Sequence, residues 1–89
     1  MKIKKGFSLK TKNGQTVIMC DKSVNKDFNS TIFLSSTSVF LWNLLQNGTP
    51  TKEQMLRGLL DNFDISTVLA LNNIDVFIKT LKENGILEE

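Results

Sequence analysis

Few side chains in this sequence could do covalent or acid–base chemistry, and none stands beside a partner that would activate it. There is no histidine, which removes the usual proton carrier near neutral pH and the commonest metal ligand. There is one cysteine, Cys20, so neither Cys-x-x-Cys nor His-x-x-x-His spacing exists to hold zinc. The seven serines lack a histidine base. Asp61 and Asp64 are three residues apart, but at a helix end, where Asp64 or Ser66 reads better as a cap. Five glycines fall singly at positions 6, 14, 48, 58 and 85 and form no phosphate-binding loop. The chain reads as a binding module rather than an enzyme, with no cofactor and no metal.

The composition bounds what such a module can be. Eighty-nine residues make one domain, 1–89. Hydrophobic residues at 40% and charged residues at 22% fit a folded soluble chain. No apolar run approaches the ~18 residues of a membrane span, and residues 1–26 contain no apolar signal-peptide core. A cytoplasmic protein is expected. Cys20 cannot form an internal disulfide; in an apolar run it reads as a small buried hydrophobe. Charge is uneven. Residues 1–26 carry seven Lys and one Asp, a local +6, and residues 27–89 a local −4, which leaves the net +2. A basic third can attract nucleic acid or an acidic peptide. Lysines on a strand edge also simply discourage aggregation.

Behind these residues, the elements are ordered strands first, helices second. Phe7–Thr11 alternates apolar and polar, and Thr16–Cys20 is β-prone. Asn13-Gly14 between them is a strong hairpin signal, because both residues accept the positive φ of a type I′ turn. The two-residue loop predicts that Thr11 faces Thr16, Leu9 faces Ile18 and Phe7 faces Cys20. Phe7, Leu9, Ile18 and Cys20 then share the core face, and Val17 and Met19 lie opposite with Ser8 and Lys10. Residues 21–30 read as a loop. Thr31–Leu34 reads as a short third strand at a sheet edge, with Ile32 and Leu34 pointing one way and Thr31 and Phe33 the other.

Three helices are expected next. The first starts at a Ser35 cap. It carries Val39, Leu41, Trp42, Leu44 and Leu45 at helical spacing, widened by Phe40, and ends at a left-handed Gly48. It holds the only Trp and lies between a β-like and a helical part, so both should pack on it. Thr51 and Gln54 form a capping box for the second helix, whose stripe is Met55, Leu56, Leu59, Leu60 and Phe63. Ser66 caps the third, which runs to about Asn84. Gly85 and Ile86 close it as a Schellman motif. Its core stripe is Leu71, Ile74, Phe77, Ile78 and Leu81. The fold class is α+β and winged-helix-like: a three-stranded antiparallel sheet followed by a three-helix bundle, βββααα.

A second stripe on the third helix, Leu69, Asn73, Val76 and Thr80, lies well away from the core stripe. Exposed apolar side chains are ordinary in isolation. Beside an open strand edge they can line a groove.

The segments Asp27-Phe28-Asn29 and Leu34-Ser35-Ser36-Thr37-Ser38-Val39-Phe40-Leu41-Trp42-Asn43-Leu44-Leu45 resemble the family of pyrroloquinoline-quinone biosynthesis protein D (PqqD). That family's signature is roughly Leu-Asn-x-Thr-Gly/Ala-x-x-Ile/Leu-Trp-x-Leu-Leu. The run from Gly48 through Thr51, Leu56, Leu59-Leu60 and Phe63-Asp64 is similar, as is the ending Phe77–Leu87. The likeness covers about residues 4–88. Ser35 stands where Asn is usual, which preserves capping, and Ser38 where Gly or Ala is common.

The resemblance implies a recognition element for ribosomally made, later modified peptides. Such a domain acts as a peptide chaperone in natural-product biosynthesis: it binds the precursor's leader and presents the core to a maturation enzyme. In the family the leader adds as a strand beside the third strand and packs on the third helix, a mode open to any extended peptide at a free edge. The implied peptide-binding residues are Thr31, Ile32, Phe33, Leu69, Asn73, Val76, Phe77 and Thr80. The implied enzyme is a radical S-adenosylmethionine maturase or a leader peptidase with a cyclase. The alternative is a winged-helix DNA-binding regulator. A DNA reader needs base-edge donors and phosphate contacts on one helix. The third helix offers Asn72, Asn73, Lys79 and Lys82 but also Asp75 and Glu83, so nucleic acid is the weaker expectation. No membrane partner is expected.

Overall fold

The computed structural model describes residues 1–88. Strands β1 (Lys2–Ile3), β2 (Phe7–Lys12), β3 (Gln15–Cys20) and β4 (Phe33–Leu34) precede helices α1 (Ser36–Gln46), α2 (Lys52–Asn62) and α3 (Thr67–Glu83), and β5 (Leu87–Glu88) follows. The main sheet is antiparallel in the order β2-β3-β4. The α+β expectation of a three-stranded sheet followed by three helices holds. A second pair, β1 with β5, joins Ile3 to Leu87 and was not expected. Each of its strands is two residues long, too short for an alternating pattern, and their pairing is set by tertiary packing. No helix among the described residues is long and apolar enough to cross a membrane.

The hairpin has the predicted register, with Phe7 opposite Cys20, Leu9 opposite Ile18 and Thr11 opposite Thr16. Its turn places Asn13 at φ 54° and Gly14 at φ 78°, the left-handed region that these two residue types tolerate best. Phe7 and Ile18 are buried and Leu9 and Cys20 half-buried. The loop after β3 is tied down at Asp21, whose carboxylate accepts from the Ser23 N–H at 3.0 Å and hydroxyl at 2.6 Å. Those bonds hold the exposed Asp21 carboxyl below its usual pKa. Phe28 closes the loop edge-on against Phe7, ring centroids 5.1 Å apart.

Each helix starts at the predicted cap. Ser35, Thr51 and Ser66 accept the N–H of Ser38, Gln54 and Leu69 at 3.3, 3.1 and 3.1 Å. The capping box is complete, with Thr51 N–H donating to Gln54 Oε1 at 2.8 Å. The helix ends share a device not foreseen: Asn47, Asn62 and Asn84 each donate Nδ2 to the carbonyl four residues back at 2.8 Å. This corrects the expectation for Gly48. Asn47 closes α1, and Gly48 is not among the residues with positive φ. At α3, Gly85 has φ 68°, and Ile86 N–H reaches the Leu81 carbonyl at 2.9 Å. That is the predicted Schellman closure.

Helix α1 packs against α2, α3, β1 and β4. Leu41, Trp42 and Leu45 are buried on it, against Met55 and Leu59 of α2 and Ala70, Ile74, Phe77 and Leu81 of α3. The core stripe of α3 is rotated from the expected one. Ala70 belongs to it and Leu71, expected inside, is exposed. At about 100° per residue, Ala70, Ile74, Phe77 and Leu81 fall within one ~60° arc, and Leu71 lies roughly a quarter-turn away. A small residue at position 70 sits at the helix contact, and the larger leucine is left outside it.

Trp42 is only 2% exposed at the centre of this packing. Trp42→Ala should cost ~3–5 kcal/mol, a large part of the stability of so small a domain. Urea denaturation followed by circular dichroism will measure it, and an unchanged midpoint would contradict a central Trp42.

Candidate functional site

The direction each backbone group faces at β4 follows from the hairpin turn. A two-residue loop makes Lys12 and Gln15 a hydrogen-bonded pair, and such pairs alternate along an antiparallel ladder. Val17 therefore bonds toward β2, and Thr16 and Ile18 face β4. Consistent with this, Ile18 N–H donates to the Ile32 carbonyl at 3.0 Å. Ile32 and, two residues on, Leu34 face β3. Phe33 between them turns its N–H and C=O away from the sheet, and so does Thr31 if the alternation is continued. The third strand is shorter than expected, Phe33–Leu34 rather than Thr31–Leu34, with Ile32 adding one bond beyond it.

Side chains alternate in the same way. Ile32 and Leu34 are half-buried against the core. Phe33 is 62% exposed on the outer face, paired across the ladder with Val17. Both edges of the sheet lie in strands, but their protection differs. Strand β2 carries Lys10 and Lys12, the usual deterrent to further pairing. Strand β4 lies in a stretch with no charged residue between Asp27 and Lys52. This uncharged stretch was readable in the sequence and was not used there.

Helix α3 reaches this edge through polar contacts. Asn73 Nδ2 lies 3.4 Å from Thr37 Oγ1, a long contact, and Thr37 Oγ1 lies 3.1 Å from Ser35 Oγ. Ser35 follows β4 directly. The chain Asn73–Thr37–Ser35 thus ties one residue of the α3 stripe to the residue that follows β4. Thr37, a buried polar residue, was given no role from sequence, although it stands at the Thr of the signature Leu-Asn-x-Thr. Along the stripe, Leu69 is 47% and Val76 54% exposed, with Asn73 and Thr80 half-buried. Phe77 is corrected: at 3% exposure it is a core residue beneath the stripe and presents no free surface. Ile32 offers its backbone to β3 and its side chain to the core, so of Thr31, Ile32 and Phe33 only Thr31 and Phe33 face the open edge.

The sequence matches the family model for coenzyme PQQ synthesis protein D (PqqD) over residues 16–87. The chain belongs to the PqqD family. Among solved structures, it is similar to TbiB1 in complex with the TbiA(beta) leader peptide. The TM-score is 0.74 and the identity 16%, covering 99% of this chain and 95% of that one. At such identity the likeness is one of fold. No curated protein gives a significant match. The helices of this PqqD-family chain do not present a clean basic face. Asp75 on α3 pairs with Lys52 on α2 at 2.6 Å, and the exposed Val68, Leu69, Leu71 and Val76 offer no donors to base edges.

The parity of β4 gives two proline substitutions opposite outcomes. Ile32→Pro replaces an isoleucine packed against the core at the residue whose carbonyl accepts from Ile18, and should destabilise the fold by ~1–3 kcal/mol. Phe33→Pro removes an outward amide, as tolerated at an edge, and should leave stability within ~0.5 kcal/mol. Thermal and urea denaturation of both variants will show it. The reverse ranking would mean that β4 is paired with its faces exchanged.

Proposed function

We propose that this chain binds the leader segment of a ribosomally synthesised precursor peptide by strand addition to β4 and presents it to a modifying enzyme. The observation that carries the reading is the outward N–H and C=O of Phe33 on an uncharged edge, tied through Ser35 and Thr37 to Asn73 on the helix that exposes Leu69 and Val76. Backbone pairing supplies generic affinity, and side-chain pockets supply selectivity. In an added strand, alternate residues point to opposite faces. Leader residues opposite Ile32 and Leu34 point toward α3, where Leu69 and Val76 take apolar side chains. Membership of the PqqD family supports this reading, and so does the fold shared with a protein solved with its leader peptide. The chain itself is a binding partner without catalysis. The enzyme it serves is a radical S-adenosylmethionine maturase or a leader peptidase with a cyclase.

Isotope-labelled protein titrated with the leader of the precursor encoded beside its gene tests the proposal. Amide shifts should concentrate in residues 29–35 and 69–80. Val76→Asp places an unpaired charge against an apolar leader side chain. Binding should weaken by about 2 kcal/mol, roughly thirtyfold, with an unchanged dichroism spectrum. Affinity should vary little with salt, whereas phosphate binding falls steeply. Shifts centred on Lys10 and Lys12 would contradict the proposal and favour an electrostatic partner.

A further inference from the structure

Strands β3 and β4 part company early, and the parting leaves a cleft. Ladder pairing runs from Thr16–Leu34 through Val17–Phe33 to the Ile18–Ile32 bond. Continued, it would join Cys20 to Ser30. No backbone hydrogen bond among the described residues joins them, and by the same alternation Cys20 directs its N–H and C=O toward this gap. The gap opens as a cleft of about 420 Å³ between β3 and residues 28–31, within the size range of ligand sites. Val17, Met19 and Phe28 form apolar walls, and Thr31 borders it on the side of the open edge. Met19, on the outer face, is 42% exposed.

The cleft has one charged lining residue, Lys22, whose Nζ also sits 5.9 Å from the centre of the Phe28 ring. Its neighbour Asp21 is turned away into the Ser23 hydrogen bonds and does not line the cleft. The site therefore combines apolar walls, a backbone donor and acceptor, and a single cation, in the third of the chain that carries a local +6.

We propose that this cleft is a second specificity subsite that takes an apolar or aromatic side chain from the bound peptide, with Lys22 pairing an adjacent carboxylate. The choice of a peptide as occupant rests on the leader-binding reading. Residues of a strand added to β4 that lie opposite Thr31 and Phe33 point to the outer face, away from α3. The cleft is the concave feature bordering Thr31 on that face. The two faces of one strand are then read separately, apolar residues by α3 and an apolar–acidic pair by the cleft.

The test uses a probe too short to pair along β4, acetyl-Phe-Glu-amide, titrated into the isotope-labelled full chain, with acetyl-Phe-Gln-amide as control. Saturable amide shifts are expected in residues 19–22 and 28–31. The Glu probe should bind roughly two- to fivefold tighter, the scale of one exposed ion pair. Lys22→Glu should abolish or invert that preference, and Met19→Asp should abolish binding of both probes. Absence of shifts in these residues, equal binding of the two probes, or retention of the preference in Lys22→Glu would each overturn the subsite. Because the probe does not need the strand edge, such a failure leaves strand addition standing. Failure of a leader to shift residues 29–35 and 69–80 is a separate result against the leader reading.

Discussion

The hydrogen bond from Ile18 N–H to the Ile32 carbonyl determines how the open edge is presented. It fixes the parity of β4. With it, Ile32 and Leu34 send their backbone groups to β3 and their side chains to the core, and Phe33 sends both outward. A slip by one residue would exchange every one of these assignments. The parity is imposed twice over. The Asn13-Gly14 turn sets which residues of β3 face β4, and burial of Ile32 and Leu34 against the core sets which residues of β4 face inward. Two independent constraints agree, so a strand of only two residues can hold a definite register.

The edge is held in place by α1. Its buried residues Leu41, Trp42 and Leu45 fix the helix among α2, α3 and β1. Its cap Ser35 and first-turn Thr37 tie the end of β4 to Asn73 on α3. The stripe on α3 flanks the core instead of opposing it. Asn73 and Thr80, nearer the core side, are half-buried, and Leu69 and Val76, farther round, are exposed. This orientation lets one helix close the core and still expose apolar side chains on its flank.

Local chemistry made much of this legible in the sequence. The hairpin register followed from Asn13-Gly14, the three helix starts from Ser35, Thr51 and Ser66, and the end of α3 from Gly85 and Ile86. These features depend on neighbours in the chain. The misses depend on contacts distant in sequence. The β1–β5 pair brings the two ends together, which no short pattern encodes. Ala70, not Leu71, shares the arc of Ile74, Phe77 and Leu81, a phase set by packing against α1 and α2 and not by hydrophobicity. Phe77 stood both in the core stripe read from helix phase and among the residues implied by the family resemblance, and its burial agrees with the first. For the edge, the alternation of Thr31–Leu34 gave the side-chain faces, but the direction of the backbone groups needed the Ile18 partner.

The central claim is that Phe33 holds an outward backbone ready to receive a strand. Amide hydrogen exchange measured residue by residue, with and without saturating leader peptide, tests it most directly. An unpaired edge amide exchanges fast, and one in a ladder is protected. The Ile18 amide should be protected in both states. The Phe33 amide should exchange rapidly in the free chain and become protected, by at least about tenfold, when the leader is bound. A Phe33 amide already protected in the free chain, or one whose exchange is unchanged by a bound leader, would contradict the account.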